Sequence, residues 1–292
     1  MKELNFHKTK YGKELLIDCL KISETIGFLV NRRPFIISFY EIFFITKGKG
    51  TFLLDDIRIP YEKGTVMFLP PDRRREWLAE TETDSYVILF EGEFIERFFN
   101  DNLFVYRFHY FHNYNTPFHL KTDSNIFQSY LEKVKEIKNE IGNLINDSDH
   151  LLRSILYYLL IKLNRQYVNQ HQIKGELFEN IEVLNFIRLL DKNFKEKHLV
   201  NDYTRMLGIS KTYLNKKLKT FGKTASDLIK SRLLIEAKKE LLYTDLTISE
   251  IAYNLNFSEP ANFNRFFKKL TSVTPHQFRM SFQNDNFKIN LI

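Results

Sequence analysis

The stretch Tyr203-Thr204-Arg205-Met206-Leu207-Gly208-Ile209-Ser210-Lys211-Thr212-Tyr213-Leu214-Asn215-Lys216-Lys217-Leu218 decides how this chain is read. Asn201 and Asp202 are capping residues for a helix that begins at Tyr203. Gly208 stops that helix, because a residue at a helix C-terminus often needs positive φ, which glycine adopts without a Cβ clash. Ser210 caps the next helix. That helix turns Tyr213, Leu214, Leu218 and Phe221 inward and leaves Lys211, Thr212, Asn215, Lys216 and Lys219 on its other faces. The product is a helix, a tight turn and a second helix that is polar and basic.

The same design returns about fifty residues later. Thr247 or Ser249 caps a helix carrying Ile248, Ile251, Ala252 and Leu255, and Asn256-Phe257-Ser258 makes the turn. The following helix points Phe263, Phe266, Phe267 and Leu270 inward and leaves Asn262, Asn264, Arg265 and Lys268 free. Between the two units, residues 225–242 read as one long amphipathic helix. A helix of this kind fits the major groove and reads base edges with its N-terminal residues. Two of them, held about one DNA turn apart by a stiff helix, address adjacent major-groove segments. Lysine and arginine neutralise phosphates there, so affinity falls with salt.

The charge distribution agrees. The 292-residue chain carries a formal net charge of +7. Residues 181–282 hold 18 Lys and Arg against 10 Asp and Glu, whereas the remainder holds 25 against 26. A basic module joined to a neutral one suits a polyanion partner, the alternative being a solvated helical surface that happens to be basic. Cys19 is the single cysteine, so no internal disulfide and no cysteine-held zinc is possible. Residues 1–20 have no continuous apolar core, and Leu151–Leu163 is too short to span a bilayer and contains Arg153 and Lys162. A soluble cytoplasmic protein is the expectation.

The spaced elements together resemble the AraC type of transcription regulator. Residues 208–214 are similar to that family's first reader, and residues 231–242 (Ser-Arg-Leu-Leu-Ile-Glu-Ala-Lys-Lys-Glu-Leu-Leu) to its linker helix. Residues 247–252, Phe257-Ser258, Asn262-Phe263, residues 265–269, Thr274-Pro275 and Phe278-Arg279 complete the second reader. Three departures stand out, the first being a recognition helix one residue shorter than usual before Gly222, which affects the register of its last turn. Asn256 and Ser272 occupy positions where the family usually has glycine; asparagine also tolerates left-handed φ, so the turn at Asn256 should survive. The resemblance implies base-reading positions at Lys211, Thr212, Asn215 and Lys216, and at Pro260, Ala261, Asn262, Asn264 and Arg265, with Ser210, Lys219, Ser258 and Lys268 in the wider DNA-binding set. It also implies double-stranded DNA and RNA polymerase as partners.

The N-terminal half has a different period. Residues 36–90 contain short β-branched and aromatic runs, broken by Lys47-Gly48-Lys49-Gly50, Asp55-Asp56, Glu62-Lys63-Gly64 and Pro70-Pro71-Asp72. This spacing predicts a small sandwich or barrel. From Ser124 to Tyr167 the period becomes helical, with Asn146-Asp147-Ser148-Asp149 as the break between two helices and a linker at 167–176. The AraC-type resemblance extends here more loosely. It implies an α+β chain: a cupin-like β-barrel with a helical pair in residues 1–172, followed by an all-α double helix-turn-helix domain in 173–292. The barrel would bind a small effector, and the helices at 126–163 would form a homodimer. Phe43, Phe52, Phe68, Trp77 and Phe90 are candidate pocket residues, although plain core is the simpler role for most of them. Arg73-Arg74-Arg75 reads as a solvated loop with an alternative as an anion site. No histidine falls between residues 36 and 90, so neither a metal nor another cofactor is expected there. His109, His112 and His119 lie beyond and read as packing or surface residues. The missing histidines and the lack of a nucleophile–base set argue against a cupin-type isomerase or dioxygenase. An adaptor that binds protein through its helices is the other alternative.

Overall fold

Residues 2–24, 35–55, 57–99, 103–112, 117–173, 180–219 and 223–280 are described in a computed structural model. The chain divides into two compact units, residues 1–177 and 178–292.

The first unit is built on two five-stranded sheets. One has the order β1 (Lys2–Leu4), β3 (Phe35–Ile37), β8 (Arg74–Ala79), β5 (Lys49–Leu54), β6 (Ile57–Glu62). The other has the order β10 (His119–Lys121), β7 (Thr65–Leu69), β4 (Tyr40–Lys47), β9 (Asp84–Phe90), β2 (Ile17–Lys21). The expected barrel is therefore a two-sheet sandwich and not a closed cylinder. The reason lies at the corners: β6 and β10 end their sheets without pairing to each other. The strands outside 36–90, β1, β2 and β10, are short and lack a clean alternation, which hid them from a periodicity argument.

Burial explains the two strand patterns. In β5 every second residue is buried, because one face of its sheet meets the other sheet and the opposite face is open. In β4 the first six residues are all buried, because the second sheet is covered on both faces. Its inner face supplies Phe43, Ile45, Met67 and Leu89 to a core shared with Phe52, Leu54, Tyr61 and Trp77 of the first sheet. Its outer face carries Ile42, Phe44, Phe68 and Phe90 into a second core. That core is completed by α1 (Glu93–Phe99), α2 (His109–His112), α3 (Ser124–Gly142) and α4 (Ser148–Gln170). Gly48, with φ of 89°, makes the β4–β5 corner, where a Cβ would sit 2.5 Å from the Glu82 carbonyl oxygen.

Arg73-Arg74-Arg75 is not a solvated loop. All three residues are buried. Arg75 is the most enclosed: its Nε donates to Glu41 Oε2 at 2.7 Å and its Nη2 to the Pro70 carbonyl at 2.6 Å. Arg73 is paired with Asp55, and Arg74 with Glu76. Three consecutive guanidinium groups are tolerated here because each has its own carboxylate. Burial raises the Glu41 carboxyl above its ordinary range, opposed by Arg75.

The second unit is all helix: α5 (Ile181–Asn193), α6 (Val200–Leu207), α7 (Lys211–Leu218), α8 (Ala225–Tyr243), α9 (Ile248–Asn254) and α10 (Pro260–Thr271). The helix α4 continues to Gln170, so the expected linker at 167–176 begins inside it; Gly175 lies outside the described residues, as do Asp56 and Phe221. The long helix α8 serves two cores with one stripe. Ala225, Ile229 and Leu233 pack with α5, α6 and α7, and Ala237 and Leu241 pack with α9 and α10. These five positions are four residues apart, which places them on one face.

Candidate nucleic-acid interface

Each candidate reading helix is fixed by local bonds that its sequence supplies. Helix α6 begins at Val200, so Asn201 and Asp202 lie inside it and do not cap it; it ends at Gly208, whose φ of 65° turns the chain, and the Ile209 N–H returns to the Thr204 carbonyl at 3.1 Å. Ser210 Oγ then accepts from the Tyr213 N–H at 3.1 Å and caps α7. Leu214 and Leu218 anchor α7 in its core. Lys211, Thr212, Lys216 and Lys219 are exposed together with Ser210. Tyr213 does not point inward as its spacing suggested: it stays 39% exposed, and its hydroxyl donates to Glu182 Oε1 at 3.0 Å.

Asn215 is different from its neighbours. It is half-buried, and its Oδ1 accepts from the Ala225 N–H, the first amide of α8, at 2.9 Å. The first four amides of a helix have no partner within the helix. Thr224 meets another of them, the Asp227 N–H at 3.2 Å, in a reciprocal capping box. Hydrogen bonds from Thr224 hold the Asp227 carboxyl below its usual range. The side-chain oxygen of Asn215 is thus committed to the protein, so what it can still offer a partner is its amide N–H donors.

The second unit follows the same logic. Thr247 is the residue that caps α9, in a capping box with Glu250. Asn256 takes φ of 56°, so this asparagine occupies the left-handed turn position that the sequence reading assigned to it. Ser272 also adopts left-handed φ, 66°, at the end of α10. Pro260 opens α10, where its missing N–H costs nothing. Phe263 and Phe267 are buried, whereas Leu270 remains 40% exposed and is not a core residue. On the open side, Asn262 Nδ2 donates to Ser258 Oγ at 2.9 Å, and Arg265 Nη2 donates to Asn262 Oδ1 at 2.5 Å. Ser258, Asn262 and Arg265 therefore form one hydrogen-bonded row, with Lys268 exposed further along and Asn264 half-buried beside it. In this row the Asn262 amide is engaged at both ends by Ser258 and Arg265, so the exposed Arg265 guanidinium, which suits a bidentate contact to a guanine edge, is the group with donors to spare.

In the first unit the structure separates the five pocket candidates. Phe43, Phe52 and Trp77 meet between the sheets, with ring centroids 4.8–6.4 Å apart. Phe68 and Phe90 face the opposite way, among Tyr40, Tyr110 and Phe111. The space between the sheets is filled around Trp77, but the corner between β6 and β10 opens into a cleft of about 300 Å³. Lys49, Tyr61, Glu62, Glu80, His119 and Lys121 line it. Lys121 pairs with Glu62, Lys49 with Glu80 at 3.8 Å, and the Tyr61 hydroxyl meets Thr83 Oγ1 at 3.1 Å. His119 Nδ1 is buried with no hydrogen-bond partner among the described residues, and burial, with His171 nearby, lowers the His119 pKa. Sequence reasoning missed this cleft, since its lining comes from strand ends and from a three-residue strand. The lone histidine at residue 119 was the only available signal. Among the described residues no three His, Cys, Asp or Glu side chains gather to hold a metal, and no helix is long and apolar enough to cross a membrane.

Known proteins agree with both halves. The model of an AraC-like ligand binding domain matches residues 30–160, and that of a helix-turn-helix domain matches residues 203–281. The Msm operon regulatory protein of Streptococcus mutans is 24% identical over 252 residues, covering 84% of this chain and 86% of that protein. The raffinose operon transcriptional regulatory protein RafR of Pediococcus pentosaceus is 27% identical over 254 residues, 83% of this chain and 85% of its own length. The solved structure of ToxT from Vibrio cholerae aligns over 90% of this chain and 97% of that one, at 16% identity and a TM-score of 0.44. The chain belongs to the AraC-type family of DNA-binding transcription regulators, with an AraC-like ligand-binding domain preceding its helix-turn-helix domain.

Proposed function

We propose that α7 and α10 enter successive major-groove segments on one face of a duplex and that occupancy of the first unit by a small polar ligand controls this binding. The observation that carries the reading is the two-sidedness of both helices. Leu214 and Leu218, and Phe263 and Phe267, are buried, while Lys211, Thr212, Lys216, Arg265 and Lys268 lie open on the other side. Asn262 and Arg265 are the base readers of the second unit, and Lys211, Thr212 and the amide nitrogen of Asn215 those of the first. Lys219 and Lys268 neutralise phosphates.

The ligand site in this reading is the corner cleft, joined to Trp77 through Tyr61, whose rings are 5.2 Å apart. Its carboxylates, ammonium groups and phenol alternate acceptors with donors, which suits a neutral polyhydroxylated molecule; one relative is named for a raffinose operon. A second copy of this chain docks on the face of α3 and α4 where Ile126, Leu151 and Tyr158 remain exposed, and RNA polymerase is the partner that reads the outcome. The protein does no chemistry of its own and acts in the cytoplasm.

The test is a gel-shift titration with salt, using duplexes that the full-length protein selects from a random pool. Log affinity should fall steeply and linearly with log salt. Arg265→Ala should weaken the selected duplex by about 1–3 kcal/mol and relax preference at one base position, with a much smaller loss on random DNA. Equal losses on both would refute its role as a base reader.

A further inference from the structure

The two reading units have separate cores. Among the described residues, Phe266 is the one side chain packed against both. Apolar packing alone therefore leaves the angle between α7 and α10 to the stiffness of α8 and to whatever else crosses between the units. One short segment crosses: residues 194–199, between α5 and α6.

Its contacts run in two directions. Toward α8, Lys195 Nζ lies 3.2 Å from Glu236 Oε1 and 3.6 Å from Glu240 Oε1. The Arg232 guanidinium stacks over Phe194 at 3.7 Å and reaches Asp191 and Glu236, each at 3.3 Å. Toward the second unit, Asn256 Nδ2 donates to the Glu196 carbonyl at 3.1 Å, and the His198 ring lies 5.1 Å from Phe257. Asn256 is the positive-φ residue of the α9–α10 turn, so its side chain direction is set by the turn itself.

The carboxylates make this more than a surface ion pair. Glu236 and Glu240 are 7% and 8% exposed and sit one helical turn apart, where like charges repel. Glu236 has Arg232 and Lys239 within ion-pair distance. For Glu240, Lys195 is the cation recorded within that distance among the described residues. A partly buried charge set of this kind acts on geometry more than on net stability, since desolvation offsets much of the attraction.

We propose that Lys195, seated on Glu236 and Glu240 and flanked by the Asn256–Glu196 bond, sets the angle between the two reading helices and thereby the number of base pairs this regulator accepts between its two DNA boxes. Adding one base pair between the boxes moves the second by about 3.4 Å along the axis and about 35° around it. A rigid reader cannot follow that shift, and a loosened one can.

The experiment uses the full-length chain and the duplex that the wild type selects from a random pool, together with the same duplex carrying one base pair more or fewer between the boxes. The wild type should lose about tenfold or more in affinity on either altered duplex, the scale of a base mismatch. Lys195→Met and, independently, Asn256→Gly, which keeps the turn but removes the bond, should cut that penalty to about threefold or less. Lys195→Arg, which keeps the cation, should restore it. Thermal melting confirms that each variant is folded. A second measurement needs no DNA: spin labels at Lys216→Cys and Lys268→Cys, both exposed positions, should show a broader distance distribution when Lys195→Met is added. If the variants retain the wild-type spacing penalty, or lose affinity equally for all three duplexes with an unchanged distance distribution, the proposal is wrong.

Discussion

Asn215 offers the sharpest test of how α7 is built, because two readings of it predict different losses. As a base reader only, its removal would cost DNA affinity and leave folding untouched. In the structure its Oδ1 also accepts the Ala225 N–H at 2.9 Å, and Ala225 is fully buried. Asn215→Ala therefore strands a buried donor at the start of α8, which costs about 1–3 kcal/mol. Loss of a helix-capping bond gives a similar figure, about 1 kcal/mol. A midpoint value of about 2 kcal/mol should lower the melting temperature of the helical unit by roughly 8 °C or more, given about 4–8 °C per kcal/mol for a unit of this size. Asn215→Asp separates the two roles. It keeps the acceptor and so the stability, but it replaces the amide donor with a negative charge on a helix proposed to lie beside phosphates. Its melting temperature should stay within about 2–4 °C of wild type, in keeping with a change of under about 0.5 kcal/mol. Its DNA affinity should fall about tenfold or more, since one lost base contact is worth about 1–3 kcal/mol. Denaturant melts of the full chain, fitted as two transitions, and gel shifts on the selected duplex measure both quantities. If Asn215→Ala melts like wild type, or if Asn215→Asp is as unstable as Asn215→Ala, the capping argument is refuted.

Two further changes test the framework. Ser272→Gly should stabilise the helical unit by about 0.5–1 kcal/mol, because a left-handed φ of 66° strains a residue with a Cβ, and a thermal melt reads the gain directly. Arg75→Met alone should cost the sandwich about 3–5 kcal/mol by leaving the enclosed Glu41 carboxyl without its cation, whereas Arg75→Met with Glu41→Leu should recover most of that loss; chemical denaturation of the wild type, both single variants and the double variant forms the cycle.

The parts of the fold that were legible in the sequence are those fixed by neighbours. Gly208 and Ser210 announce a turn because a left-handed stop and a side-chain cap act within four residues, and both appear where expected. The strands β4, β5, β7 and β9 are legible because apolar residues cannot be left in water. Which sheet face each residue meets is not legible, so Phe68 and Phe90 read like Phe43 and Phe52 although they belong to the opposite core. In a strand buried on both faces, alternation disappears, so the sequence no longer says which residues look inward. The same limit explains Arg73-Arg74-Arg75. Three cations in a row suggest a solvated loop until Asp55, Glu41 and Glu76 arrive from other strands to pair them.

The face proposed to meet DNA divides along the same line. Each reading helix is visible from its own period, since the side chains left over after Leu214, Leu218, Phe263 and Phe267 are buried must face outward. Asn215 shows where this inference stops: its acceptor is taken by a residue ten positions later, in a helix whose start depends on it. The relation between the two readers is further still from local sequence. It rests on Lys195 reaching Glu236 and Glu240, and on Asn256 reaching Glu196 across sixty residues. Lysine and glutamate at such positions look like any solvated helix face until the fold brings them together. A regulator can thus keep its two reading helices intact and still change the spacing it accepts, through residues that never touch a base. Variation at residue 195 or 256 should therefore alter spacing preference while leaving base preference within each box unchanged, and selection of duplexes from a random pool by each variant measures the two separately.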